Sequence, residues 1–111
     1  MRIVTLSVSS RNAFSGRVVA AMNGLPQGAR VTFESIDLLL GTLTPARWAV
    51  LKLMLGVGPQ SVHELARRAG SDVRAIRRDV QALLNVGVLE RHADGTIAFP
   101  YDNMHVDFML T

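Results

Sequence analysis

Residues 61–91 read SVHELARRAGSDVRAIRRDVQALLNVGVLER, and their spacing decides the fold. Ser61-Val62-His63-Glu64 has the form of a capping box, with the hydroxyl serving one end and the carboxylate the other. Val62, Leu65, Ala66 and Ala69 follow at helical intervals and predict a short helix, ended by Gly70 where a left-handed residue is wanted. Ser71 is the expected N-cap of a longer helix with Val73, Ile76, Val80, Leu83 and Leu84 on its inner side and Gly87 at its close. Residues 88–99 then read as a hairpin. Asp94-Gly95 is its two-residue turn signal, and Leu89, Ile97 and Phe99 are its candidate inward side chains.

Upstream, Thr44 is a good N-cap and Pro45 suits the first helical position. Residues 46–55 place Trp48, Leu51 and Leu55 on one stripe with Val50 and Met54 beside it, so a buried helix is expected, ended by Gly56-Val57-Gly58-Pro59. Nearer the N-terminus, residues 3–8 alternate as a strand, with Val4, Leu6 and Val8 on one side. A helix through Phe14, Val18, Val19 and Met22, capped by Ser9 or Ser10, and a second strand over residues 29–36 complete a βαβ-like unit. Residues 37–43 add a helical turn or two. Downstream, Met104, Val106, Phe108 and Leu110 alternate, predicting a last strand whose apolar side seeks cover.

The expected architecture is therefore α+β. It comprises a winged helix-turn-helix over residues 43–99, a small strand-helix-strand extension over residues 1–42 and a C-terminal strand in residues 100–111. At 111 residues the chain holds one domain. Hydrophobic residues make up 49% and charged residues 19%, which excludes disorder for most of the length. That much apolar surface exceeds what a small core hides, so a homodimer is expected. Residues 1–10 are too polar for a signal-peptide core, and no apolar run approaches a membrane span. The expectation is a soluble cytoplasmic protein with no membrane partner.

Net charge is +3, with eleven arginines and one lysine supplying the cations. The distribution carries more than the sum. Arg67, Arg68, Arg74, Arg77 and Arg78 face a single nearby acid, Asp72. On the longer helix Arg74, Arg77, Arg78 and Gln81 share the side opposite Ile76, Val80 and Leu83, so burying the apolar stripe turns them outward together. Arginine and glutamine make paired hydrogen bonds to guanine and adenine edges, which is the makeup of a helix that reads a major groove. Ser71 with the helix N-terminus, Arg67 and Arg68 are the expected phosphate contacts, and Arg91 and His92 would reach a neighbouring backbone or minor groove from the hairpin. The bland alternative is a solvated face paired with Glu64, Asp72 and Asp79.

With residues 43–55, LTPARWAVLKLML, and the tail FPYDNMHVDF at 99–108, the chain resembles the winged-helix regulators of the MarR/ArsR type. It is similar, more narrowly, to small DNA-binding proteins that sit beside toxin genes, including antitoxins of the TumE–TumA kind. The resemblance implies a dimeric DNA-binding protein, an antitoxin that represses its own operon and neutralises a cognate toxin. The long terminal helices by which MarR regulators dimerise are missing, so dimerisation falls to the strands or the tail. The alternative is a protein-interaction module that masks its partner with Val106, Phe108 and Leu110 and has little contact with DNA.

An enzyme is disfavoured. His63, His92 and His105 lack the spacing of a metal pair, and His105 with Asp102 and Asp107 is explained as the polar side of a strand. No G-x-S-x-G and no phosphate-cradling glycine loop occurs. Cysteine is absent, which excludes thiol catalysis, disulfides and Cys-ligated metals. No cofactor is expected, and Trp48 and Tyr101 read as core and hinge residues.

Overall fold

Along the chain, strands β1 (Ile3–Val8) and β2 (Ala29–Phe33) are followed by helices α1 (Ile36–Thr42), α2 (Pro45–Met54), α3 (Val62–Ala69) and α4 (Val73–Asn85) and then by strands β3 (Glu90–Arg91), β4 (Ile97–Ala98) and β5 (Asn103–Asp107). The computed structural model describes residues 2–8 and 29–108. The expected helix through Phe14, Val18, Val19 and Met22 lies outside them, as does Leu110. The architecture is α+β, and among the described residues no helix is long and apolar enough to cross a membrane.

Local chemistry sets the helix ends. Thr44 Oγ1 accepts from the Arg47 amide at 3.3 Å with Pro45 in the first turn, as the sequence predicts. Ser61 Oγ accepts from the Glu64 amide at 3.1 Å. The other half of the expected box differs, because both Glu64 carboxylate oxygens accept from Arg67 Nη2 at 2.5 and 2.6 Å. Gly70 closes α3 at φ +64°, a conformation that costs a residue with a Cβ. The Ser71 amide donates to the Ala66 carbonyl at 3.0 Å to finish that end. Ser71 is thereby part of the stop of α3, and the N-cap of α4 passes to Asp72, whose Oδ1 accepts from the Arg74 amide at 3.3 Å.

Helix α2 corrects another expectation. Val50, Leu51 and Met54 are buried, whereas Trp48 is 39% and Leu55 42% exposed. At about 100° per residue, the arc that meets α3 and α4 runs from Leu51 towards Met54 and Val50, and Trp48 and Leu55 fall at its margin. In α4, Ile76, Val80 and Leu83 are buried and Val73 and Leu84 half-buried. The hairpin is antiparallel, Glu90 opposite Ala98 and Arg91 opposite Ile97. Gln60 joins it through paired main-chain bonds with Ile97 at 2.9 and 2.7 Å, and Leu89, Ile97 and Phe99 are buried as expected. Its tip is not a two-residue turn. The His92 amide donates to the Thr96 carbonyl at 2.8 Å and the Gly95 amide to the His92 carbonyl at 2.9 Å, so the loop is Ala93-Asp94-Gly95. Gly95 alone takes a positive φ, +87°, as in a turn ending in a bulge. Hydrogen bonds from the Thr96 hydroxyl and amide hold the Asp94 carboxyl below its ordinary range.

β1 is the middle strand of a three-stranded parallel sheet of order β2-β1-β5. Leu6 lies between Val31 and Val106, and Val4 between Ala29 and Met104. Val4, Leu6, Phe33 and Leu39 join Leu65, Leu83 and Ile97 in one hydrophobic cluster, so sheet and helices share a core. Arg2 fastens the tail to β1. Its amide donates to Asp102 Oδ2 at 2.8 Å, and its guanidinium lies 5.2 Å from the Tyr101 ring, which meets Phe99 edge-on.

Candidate nucleic-acid interface

Ile76, Val80 and Leu83 point α4 into the core, so Arg74, Arg77, Arg78 and Gln81 are all exposed on its other side. With Arg47, Ala82 and Asn85 they line a shallow groove of about 600 Å³. Ion pairs among the described residues join Arg47 to Asp79 and Arg67 to Glu64, His92 lies beside Glu90, and Arg74, Arg77 and Arg78 are left without a carboxylate partner. Three uncompensated guanidiniums within two helical turns create a positive field at a surface that an anion can reach. Gln81 Nε2 donates to Asn85 Oδ1 at 2.8 Å along the same face.

The remaining expected contacts separate from this cluster. Arg68 and Ser71 line a different groove, with Ala46, Ala49 and Lys52, and Arg68 Nη1 donates to Gln60 Oε1 at 2.6 Å. Arg67 is held by Glu64, whose carboxyl is lowered and whose partner guanidinium is raised, chiefly by their shared hydrogen bonds. Asp72, rather than Ser71, occupies the start of α4, so a carboxylate already sits where a phosphate was expected. Arg91 is exposed beside the hairpin tip, and His92 Nε2 stands 3.7 Å from Glu90 Oε2.

The family model HVO_A0114 matches residues 42–106, more than half of the chain. The chain belongs to the HVO_A0114 family. The matched segment runs from the end of α1 through most of β5, so the HVO_A0114 region carries the basic face, the hairpin and the tail strand together. No curated protein and no solved structure matches this HVO_A0114 chain. Among its described residues, no cluster of three or more His, Asp or Glu could hold a metal. Of the tail residues expected to meet a partner, Val106 is half-buried against the chain's own core and Phe108 is 43% exposed.

Arg47 is the residue that the sequence reading missed. Its Nε donates to Asp79 Oδ1 at 3.1 Å and its Nη1 to the Gly41 and Thr42 carbonyls at 3.3 and 3.2 Å. It thus ties α4 to the end of α1 while lining the basic groove. The faint signal was Asp79, the one acid in α4. Arg47→Ala leaves Asp79 and two helix-end carbonyls without their donor, and should destabilise the fold by about 1–3 kcal/mol. Arg67→Ala, on a solvent-accessible surface pair, should barely move the melting temperature. Arg47→Lys should recover only part of the loss, because one ammonium cannot reproduce the fork. Equal melting temperatures for Arg47→Ala and wild type would remove Arg47 from this role.

Proposed function

We propose that this protein is a sequence-specific double-stranded DNA-binding transcriptional regulator. In this reading α2, α3, α4 and the β3–β4 hairpin act as a winged helix-turn-helix. Helix α4 lies in a major groove, where Arg74, Arg77, Arg78 and Gln81 contact base edges, while Arg91 and His92 reach the flanking backbone. The observation that carries the reading is the outward, unpaired state of Arg74, Arg77 and Arg78 on a helix locked from beneath by Ile76, Val80 and Leu83. A face meant only for solubility would interleave acids with these bases.

The protein acts as a homodimer, since a two-fold doubles the contacts and sets the spacing of half-sites. Its resemblance to antitoxins of the TumE–TumA kind extends the proposal to repression of its own operon and neutralisation of a cognate toxin. The reading as a purely tail-mediated interaction module is less well supported, because Val106 is engaged by the chain's own sheet. A gel-shift titration at several fixed salt concentrations, with DNA from upstream of the protein's own gene against scrambled DNA of equal length, tests the proposal. Binding should weaken steeply with salt on both, and the native DNA should be preferred by roughly 10³-fold or more. Equal affinity for the two sequences would reduce the basic face to a non-specific one.

A further inference from the structure

Among the described residues β5 ends the sheet, and its outer edge pairs with no other strand. The Asn103 amide points inward, to the Arg2 carbonyl at 3.3 Å. Successive main-chain groups of a strand face opposite edges, so the N–H and C=O groups of Met104 and Val106 face outward, and Phe108 is the first residue beyond the strand. Met104 and Val106 share the apolar face of the strand, packed against the core, while His105 and Asp107 stand exposed on the other. Beside this edge, Met104 and Asn103 join Trp48, Leu51, Lys52, Leu55 and Phe99 around a cavity of about 150 Å³. Trp48, Leu55 and Phe108 are 39%, 42% and 43% exposed, and the first two border this cavity together.

We infer that β5 pairs antiparallel with β5 of a second copy, in the register that sets Val106 opposite Val106. In that register Met104 lies opposite Phe108 and His105 opposite Asp107, each twice by symmetry. The outward amides and carbonyls of Val106 meet in a hydrogen-bonded pair, and those of Met104 meet Phe108, which the pairing adds to the strand. Each Phe108 ring is brought to the partner's Met104, at the mouth of the cavity that Trp48 and Leu55 border, so the exposed apolar groups are covered together. On the polar face each His105 meets a carboxylate.

Neighbouring registers fail. Pairing about His105 sets imidazole against imidazole and Asn103 against Asp107, and pairing about Met104 leaves Phe108 uncovered. A slip by one residue sets polar side chains against apolar ones. The occupant that fits the edge is therefore this strand itself, chosen by the match of imidazole to carboxylate on one face and of Met104 to Phe108 on the other. The inference deepens the proposed function, resting on it for the expectation of a two-fold. It is read out on the free protein, so failed pairing and failed DNA recognition give separate results.

Sedimentation equilibrium on the full chain, together with emission from Trp48, the single tryptophan, tests the pairing. Wild type should be dimeric, and its emission should move to shorter wavelength as concentration rises. His105→Asp sets carboxylate against carboxylate at both pairs and should raise the dimer dissociation constant by about tenfold or more. The exchange His105→Asp with Asp107→His restores opposite partners and should return association close to wild type. Both positions are exposed, and unchanged circular dichroism will show that the monomer fold persists. A wild type that stays monomeric, a His105→Asp variant that dimerises as wild type does, or a double exchange that fails to recover would each overturn the inference.

Discussion

Replacing Arg74, Arg77 and Arg78 together by alanine is expected to bring binding of the native upstream DNA down to the level of scrambled DNA. Each guanidinium that forks onto a guanine contributes about 1–3 kcal/mol of discrimination, so single variants should lose that amount at one base pair each. The triple variant should lose recognition of the site as a whole. Its fold should survive, because all three side chains are exposed and none has a carboxylate partner among the described residues, and substitutions at such positions usually stay within about 0.5 kcal/mol. Arg91→Ala should instead weaken every sequence alike and flatten the salt dependence by roughly one phosphate. A triple variant that still prefers the native DNA would show that α4 is not the reading element.

The largest loss of stability is expected at Leu83, which is fully buried where α4 meets the hairpin. The Leu83 carbonyl accepts from the Val88 amide at 3.0 Å, so the same residue anchors the turn out of α4 and the core beneath it. Leu83→Ala removes buried methyl groups and leaves a cavity, at a cost of about 2–5 kcal/mol. Thermal and denaturant melts should register that as a clear loss, at several degrees per kcal/mol for a domain of this size. Leu38→Ala, at a side chain 53% exposed, provides the contrast and should change little. Comparable losses for the two would mean that the helices are not held by this cluster.

Much of the helical part was legible because local chemistry specifies it. Ser61, Gly70, Thr44 and Pro45 mark helix ends that depend on only a few neighbouring residues, and the periodicity of Ile76, Val80 and Leu83 orients α4 without reference to the rest of the chain. The misses share a cause, which is competition between neighbours or over distance. Ser71 and Asp72 are both competent caps, and the demand of α3 for the Ser71 amide decides between them. Asp94-Gly95 suits a two-residue turn only if Asp94 takes a positive φ, and the hairpin instead places that conformation at Gly95 alone. The stripe of Trp48, Leu51 and Leu55 satisfies helical spacing, yet which side of Leu51 is covered depends on how α3 and α4 approach. In the basic cluster, the exposure of Arg74, Arg77 and Arg78 followed from the pattern. The diversion of Arg67 to Glu64 and the bracing role of Arg47 depended on side-chain reach across and between helices.

The central position of β1 has a consequence for how the chain acquires its shape during synthesis. This strand emerges before both of its neighbours, and one flank waits for β2 and the other for β5, about a hundred positions later, as the contact of Arg2 with Asp102 spans. Closing so distant a pair is slow relative to local helix formation. The helices and hairpin can therefore consolidate while β1 still has a bare side, and a nascent chain in that condition offers chaperones a ready target.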